Sequence, residues 1–214
     1  MSNRDYIPPL NFDFLTPYFD IVCEVFALGS QFKRLVIDEL HLQTGEQLLD
    51  VGCGTGTLIV DAKKTYPSLT VIGIDPDNKS LAIARKKIEH EGLKIKLIQT
   101  GAQKLPFPSR SFDAITSTLV FHHLPTEIKK QTLKEIHRVL KNDGRFLLAD
   151  IGKPHNIGRN LGYKLVELLH LPEAETMQDN IKGRLPQIVK EAGFQVKEIR
   201  PEFGGKQFLL ATKR

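Results

Sequence analysis

Glycine recurs at three alternate positions in Asp50-Val51-Gly52-Cys53-Gly54-Thr55-Gly56, between the apolar run Gln47–Val51 and an apolar helical segment from Thr57. Glycine tolerates positive φ and has no Cβ, so the backbone here can turn sharply and lie against a ligand. The helix start behind the turn presents unpaired N–H groups. Strand, glycine turn and helix in this order form a cradle for a nucleotide-like cofactor.

The rest of the chain repeats the strand–helix alternation. A second strand, Leu69–Ile74, ends at Asp75, and Asp77 or Asn78 can cap the helix that follows, with Leu81, Ala84 and Ile88 facing inward. Further strands are expected at about Ile95–Gln99, Phe112–Ser117 and Arg145–Ile151. Between the last two, Thr126 is placed as the cap of a helix carrying Ile128, Leu133, Ile136, Val139 and Leu140, with Gly144 just past its end. A helix from about Pro186 closes at Gly193, and strands at Gln195–Ile199 and Gln207–Ala211 finish the chain. Strands alternating with helices imply a parallel sheet. The final pair is joined only by Pro201-Glu202-Phe203-Gly204-Gly205, too short for a parallel crossover, so the last strand runs antiparallel. The expected fold is α/β, a doubly wound, Rossmann-like sheet of seven strands with the last one reversed.

Two flanking segments break the rhythm. Tyr18, Phe19, Val22, Val25 and Phe26 form one face of a helix, and Phe32, Leu35, Val36 and Leu40 start a second. Leu161, Leu165, Leu168 and Leu169 mark an amphipathic helix stopped at Pro172. The expected division is a helical segment 1–44, a core 45–214, and a helical insert 153–184 on the substrate side. The apolar stripes of both flanking segments are read first as core packing.

At 214 residues with 41% hydrophobic and 26% charged residues, the chain can bury a sizeable core. No apolar run approaches the roughly 20 residues that cross a bilayer, and no signal-peptide pattern is seen, so a cytoplasmic location without stable membrane insertion is expected. Cys23 and Cys53 offer neither a disulfide framework nor a CxxC pair, and no cluster has metal-ligand spacing; no metal is expected. The net charge of +5 is scattered in pairs such as Lys63-Lys64, Lys86-Lys87 and Lys129-Lys130, read as solvated helix faces. Without a basic run and interleaved aromatics, nucleic acid is not an expected partner.

The glycine spacing discriminates between cofactors. The dinucleotide fingerprint GxGxxG needs a third glycine at position 57, which is Thr57; this turn is GxGxG. Asp50, just before it, suits a ligand with a positive group better than a pyrophosphate. With Asp75 at the end of the second strand, these residues resemble the class I S-adenosylmethionine-dependent methyltransferases. The group most resembled contains the ubiquinone/menaquinone-biosynthesis C-methyltransferases and related small-molecule enzymes. The resemblance rests on roughly residues 45–151, and on topology alone at the end of the chain.

It implies S-adenosylmethionine as cofactor, with Asp50, Gly52, Gly54 and Gly56 around its methionine part and Asp75, followed by Pro76, at the ribose hydroxyls. Where that family has an aspartate accepting from the adenine amino group, this chain has Gly101. Backbone groups of Ala102 or the Gln103 side chain are the substitutes. Thr118 and Leu119 open the loop that the resemblance sets beside the methionine moiety.

Methyl transfer from a sulfonium is an in-line displacement, which chiefly requires alignment and exclusion of water. A base is needed only when the nucleophile must lose a proton. The catalytic residue is therefore left unassigned, with His123, Asp150 and His155 as candidates, each also readable as a structural or loop residue. The resemblance makes 1–44 a helical lid and sets it, with the insert 153–184, over the substrate pocket, where Phe12, Phe14, Tyr18, Phe19, Leu161, Tyr163 and Leu165 would favour a small, apolar or aromatic acceptor. Self-association as a homodimer is left open. The alternatives are an S-adenosylmethionine-binding module without turnover and an NAD(P)-dependent oxidoreductase, the latter disfavoured by Thr57 and Asp50.

Overall fold

Leu48 and Leu49 are both fully buried, as are Leu147 and Leu148, although neighbours along a strand point to opposite faces of a sheet. A sheet of such strands must be covered on both sides. The computed structural model describes residues 30–153, 173–203 and 205–214, and in it the sheet is covered in this way. The elements in chain order are α1 (Ser30–Glu39), β1 (Gln47–Val51), α2 (Thr57–Thr65), β2 (Thr70–Asp75), α3 (Asn78–His90), β3 (Ile95–Gln99) and β4 (Phe112–Thr118). A one-turn 3-10 helix (Phe121–His123), α4 (Thr126–Val139) and β5 (Leu140–Ile151) follow. The short α5 (Glu173–Thr176) and α6 (Gln178–Ile181), α7 (Leu185–Glu191), β6 (Phe194–Phe203) and β7 (Lys206–Lys213) complete the set.

The seven strands are ordered β3-β2-β1-β4-β5-β7-β6. β1, β2, β3, β4 and β5 pair in parallel, and β7 pairs antiparallel with both β5 and β6. On one face, Leu49, Val51, Ile115, Phe146 and Leu148 pack with Leu133, Ile136 and Val139 of α4 and Leu185, Ile188 and Val189 of α7. On the other, Leu48, Val71, Ala114, Leu147 and Phe208 pack with α1, α2 and α3 through Phe32, Val36, Leu58, Ile59 and Leu81. The rings of Phe32 and Phe208 lie 5.6 Å apart, so α1 is fastened to β7.

Several boundaries differ from expectation. Of the two candidate caps of α3, it is Asp77 that accepts from the N–H groups of Lys79 (3.0 Å) and Ser80 (3.2 Å). Thr126 is not a cap: Pro125 holds that position, and the Thr126 hydroxyl donates instead to Asp179. β5 starts five residues before Arg145, at Leu140, so Gly144 lies inside the strand. A Cβ there would come within 2.7 Å of Leu140 Cδ1 and 3.0 Å of the Asp113 carbonyl, which explains a glycine in mid-strand. The Lys129-Lys130 pair is not a solvated face; Lys129 is fully buried. The expected faces Tyr18–Phe26 and Leu161–Leu169, together with Cys23 and His155, lie outside the described residues.

Candidate functional site

The parallel strands β1, β2 and β4 end side by side, and the loops at these C-terminal ends build the site. Gly52 and Cys53 both donate to the Ile74 carbonyl, at 2.8 and 2.9 Å, which swings the turn over the end of β2. Gly52, Gly54 and Gly56 all have positive φ, at 78°, 53° and 76°. The missing side chains serve different ends. A Cβ on Gly52 would lie 2.2 Å from Val120 Cγ2 and one on Gly56 2.8 Å from Ala84 Cβ, so both permit close packing. A Cβ on Gly54 would meet nothing within 4 Å; this glycine borders open space.

Asp75 joins the turn to the next loop. One of its carboxylate oxygens accepts from Gly54 N (2.9 Å) and the other from Asp77 N (2.8 Å). Burial pushes its carboxyl up to about 6, against those two N–H groups, which favour the charged form. Pro76 presents its carbonyl to the Gln99 side chain at 3.2 Å, and Thr100 N donates to the Asp75 carbonyl at 3.1 Å, tying the loop after β3 to this corner.

Asp50 is the exceptional group. It is 1% exposed, and neither carboxylate oxygen has a hydrogen-bond partner among the described residues. Its register partner on β4, Thr116, also has a buried hydroxyl without a partner. Burial, with Asp75 nearby, pushes the Asp50 carboxyl up to about 8. Buried carboxylates are ordinarily paired. Two orphaned oxygens behind a glycine turn with open space at Gly54 fit a ligand that brings its own cation and N–H donors.

Beyond β4, Leu119 holds φ at 58°, an outlying conformation for a bulky residue. Asp150, fully buried at the end of β5, holds this loop. Its Oδ2 accepts from Val120 N (3.0 Å) and Phe121 N (2.7 Å); its Oδ1 accepts from Ile151 N (2.7 Å), Asn180 Nδ2 (3.2 Å) and meets His122 Nδ1 (2.8 Å). Burial raises the Asp150 carboxyl, but His122 and these N–H groups outweigh it and hold it below the ordinary carboxylate range. Val120, fixed in this way, is the residue packed on Gly52.

Asp150 thus anchors this loop through hydrogen bonds to both of its carboxylate oxygens. His123 is pushed down to about 3 by burial and by His122, its Nδ1 is buried without a partner among the described residues, and it is neutral near pH 7. A base with so low a pKa is poorly matched to that pH. Thr118 and Leu119 are half-buried at the end of β4.

Sequence reasoning missed a second polar cluster. Lys129 on α4, fully buried, donates to the Thr176 carbonyl (2.7 Å) and pairs with Asp179 (3.2 Å). Asp179 also accepts from Thr126 Oγ1 (2.7 Å) and from Arg184 (2.6 Å). Next to it, Asn180 donates to Asp150 and to the Ile151 carbonyl. Residues 176–184 are thereby clamped to α4 and to the end of β5. Thr126 three residues before Lys129 places both on one helical face, but Asp179 lies 50 residues away and gives no local signal.

The fold and these strand ends define a class. Residues 48–144 match the methyltransferase-domain family. A demethylmenaquinone methyltransferase of Lactobacillus johnsonii is 36% identical over 155 residues, which cover 70% of this chain and 63% of the relative. A demethylmenaquinone methyltransferase of Symbiobacterium thermophilum is 31% identical over 176 residues, covering 80% of this chain and 69% of the relative. A solved S-adenosylmethionine-dependent methyltransferase from Aquifex aeolicus shares the fold with a TM-score of 0.71 at 23% identity, covering 94% and 98% of the two chains. The chain belongs to the S-adenosylmethionine-dependent methyltransferases, an enzyme family whose cofactor is S-adenosylmethionine. Within that family its similarity is to the demethylmenaquinone methyltransferases.

Proposed function

We propose that this protein transfers the methyl group of S-adenosylmethionine to a small apolar or aromatic acceptor of the quinone-precursor kind. The observation that carries the cofactor assignment is the orphaned Asp50 carboxylate behind the glycine turn. The names of the relatives support the acceptor class.

In this reading Asp50 takes the ammonium of the methionine part, and the backbone of Gly52, Gly54 and Gly56 carries that part past the end of β1. Asp75, with Pro76 behind it, uses its remaining lone pairs for the two ribose hydroxyls, charge-assisted bonds of the stronger kind. Ala102 and Gln103 face the base, and Thr118 and Leu119 border the methionine side. The bound cofactor supplies a methyl on a positively charged sulfur, an excellent leaving group. The chain's own contribution is to align the acceptor in line with that bond and to exclude water. Asp150 holds the loop 118–123 in place and removes no proton. Segments 1–44 and 153–184 remain the proposed cover of the acceptor.

The test is incubation with methyl-labelled cofactor and a demethylated menaquinone precursor. Labelled product from the wild type, lost in Gly54→Asp, is expected. Tight S-adenosylhomocysteine binding with no labelled product from that precursor or from cell extract would instead favour a binding module without turnover.

A further inference from the structure

Asn180 leaves one atom of the polar cluster around Asp150 unmatched. The residue, on α6, is 1% exposed, and its Nδ2 donates to Asp150 Oδ1 (3.2 Å) and to the Ile151 carbonyl (2.9 Å). Both partners are acceptors, so the amide is held with its nitrogen toward them and cannot be turned over. Its Oδ1 therefore points away from them, buried and with no hydrogen-bond partner among the described residues.

A second open atom borders the same aspartate. His122 meets Asp150 Oδ1 at 2.8 Å, and the His123 ring lies on His122 with 3.9 Å between centroids. His123 Nδ1 is also buried without a partner among the described residues. α6 packs directly on the 3-10 helix that carries both histidines. Buried polar atoms ordinarily find a partner. Asn180 Oδ1 can only accept, so whatever completes it must bring an O–H or N–H.

The position of these atoms suggests the donor. They lie at the end of β5 and on the loop after β4, whose Val120 packs on Gly52 of the glycine turn. Asn180 itself belongs to the segment 153–184 proposed to cover the acceptor. The open oxygen stands between the loop beside the cofactor and that cover.

We infer that Asn180 Oδ1 receives a ring hydroxyl of the methyl acceptor, making the site selective for phenol- or quinol-type molecules over hydrocarbons of the same shape. This rests on the function proposed above and narrows its acceptor class. A hydroxyl that makes an aromatic carbon electron-rich is buried along with the ring, and there it needs a hydrogen-bond acceptor. An amide oxygen holds it without removing its proton, so Asn180 sets orientation and specificity and is not a base. His123, neutral near pH 7, can donate to or accept from the same molecule.

The experiment is calorimetric titration of the full chain, saturated with S-adenosylhomocysteine, with 1-naphthol and with 1-methylnaphthalene. The two have nearly the same shape and differ in O–H against methyl. Asn180→Ala is expected to keep its affinity for S-adenosylhomocysteine. It should shift the ratio of the two naphthyl affinities about tenfold toward 1-methylnaphthalene, because the hydroxyl loses its acceptor. An unchanged ratio, or an equal loss for both compounds, would overturn the inference. Should the variant fail to bind S-adenosylhomocysteine, the wild type decides alone. A crystal of its complex with that ligand and 1-naphthol should show the hydroxyl about 2.8 Å from Asn180 Oδ1, and a hydroxyl placed elsewhere overturns the inference too. If the wild type takes S-adenosylhomocysteine but neither naphthyl compound, the acceptor reading fails and this inference falls with it.

Discussion

Replacing Asp50 by asparagine should strengthen the empty protein and weaken its hold on the cofactor, with both effects set by pH. The folded carboxyl sits at about 8, against an ordinary value of 3.8. Asp50 therefore favours folding fully below the unfolded value, and its contribution is lost as pH rises through the folded one. The gap of about 4 units, at 1.36 kcal/mol each, sets a ceiling of roughly 5 kcal/mol lost by pH 8. The asparagine amide is itself buried without partners, which costs about 1–3 kcal/mol. A net gain on the order of 3 kcal/mol near pH 8 raises Tm by roughly 6–12 °C for a chain of this size.

Binding responds in the opposite sense. At pH 6 to 8 the wild type must release the Asp50 proton to meet the ligand's ammonium, so its affinity for S-adenosylhomocysteine should rise about tenfold per pH unit. At higher pH still, the ligand's own α-amino group loses its charge and affinity falls again. Asp50→Asn should lose the rising limb and bind roughly 10–100-fold more weakly at pH 8, the worth of a hydrogen bond to a charged group. Calorimetry in two buffers of different ionisation enthalpy reads the proton directly: near pH 6.5 the wild type should release about one proton more per molecule than the variant. A flat wild-type profile with no released proton, or an unchanged Tm at pH 8, would refute the reasoning.

The other predictions follow from single contacts. Gly52→Ala drives a Cβ into Val120 and should lower Tm markedly, whereas Gly54→Ala has open space and carries only the strain of its positive φ, so it should lower Tm less and lose cofactor affinity; melting and titration separate the two. Lys129→Met removes one of the two cations on buried Asp179, leaving Arg184, and should cost about 1–3 kcal/mol by denaturant unfolding, with part recovered in Lys129→Met/Asp179→Asn. Asp150→Ala strips the anchor from Val120 and Phe121 and should reduce both stability and kcat. Because the Asp150 carboxyl is held below its ordinary value, its contribution is present above the unfolded pKa and disappears as pH falls through the folded one; in Asp150→Ala that part of the wild type's acid sensitivity should vanish.

Much of the fold could be read from the chain because its signals are local. The glycine spacing, Asp75 at the end of an apolar run, and the short connection before the last strand each depend on a few neighbouring residues. The strand Ile95–Gln99 agrees with expectation residue for residue. Errors arose where a residue's role depends on a distant partner. Thr126 has the composition of a cap but donates to Asp179, 53 residues away. Lys129 stands beside a half-buried lysine and is itself fully buried against the same aspartate.

The same division runs through the site. Sequence alone determined the strand–turn–helix unit, the reversed last strand and the positions of Asp50 and Asp75, because steric freedom at glycine and the pattern of apolar residues act over short stretches. Only the tertiary structure decided that β7 lies between β5 and β6, that Asp150 accepts from the backbone of Val120 and Phe121, and that Asp50 stands unpaired among the described residues. Charge, burial and hydrogen bonding at those positions come from groups that meet only when the sheet closes. A carboxylate's pKa and its partners are properties of that assembled environment.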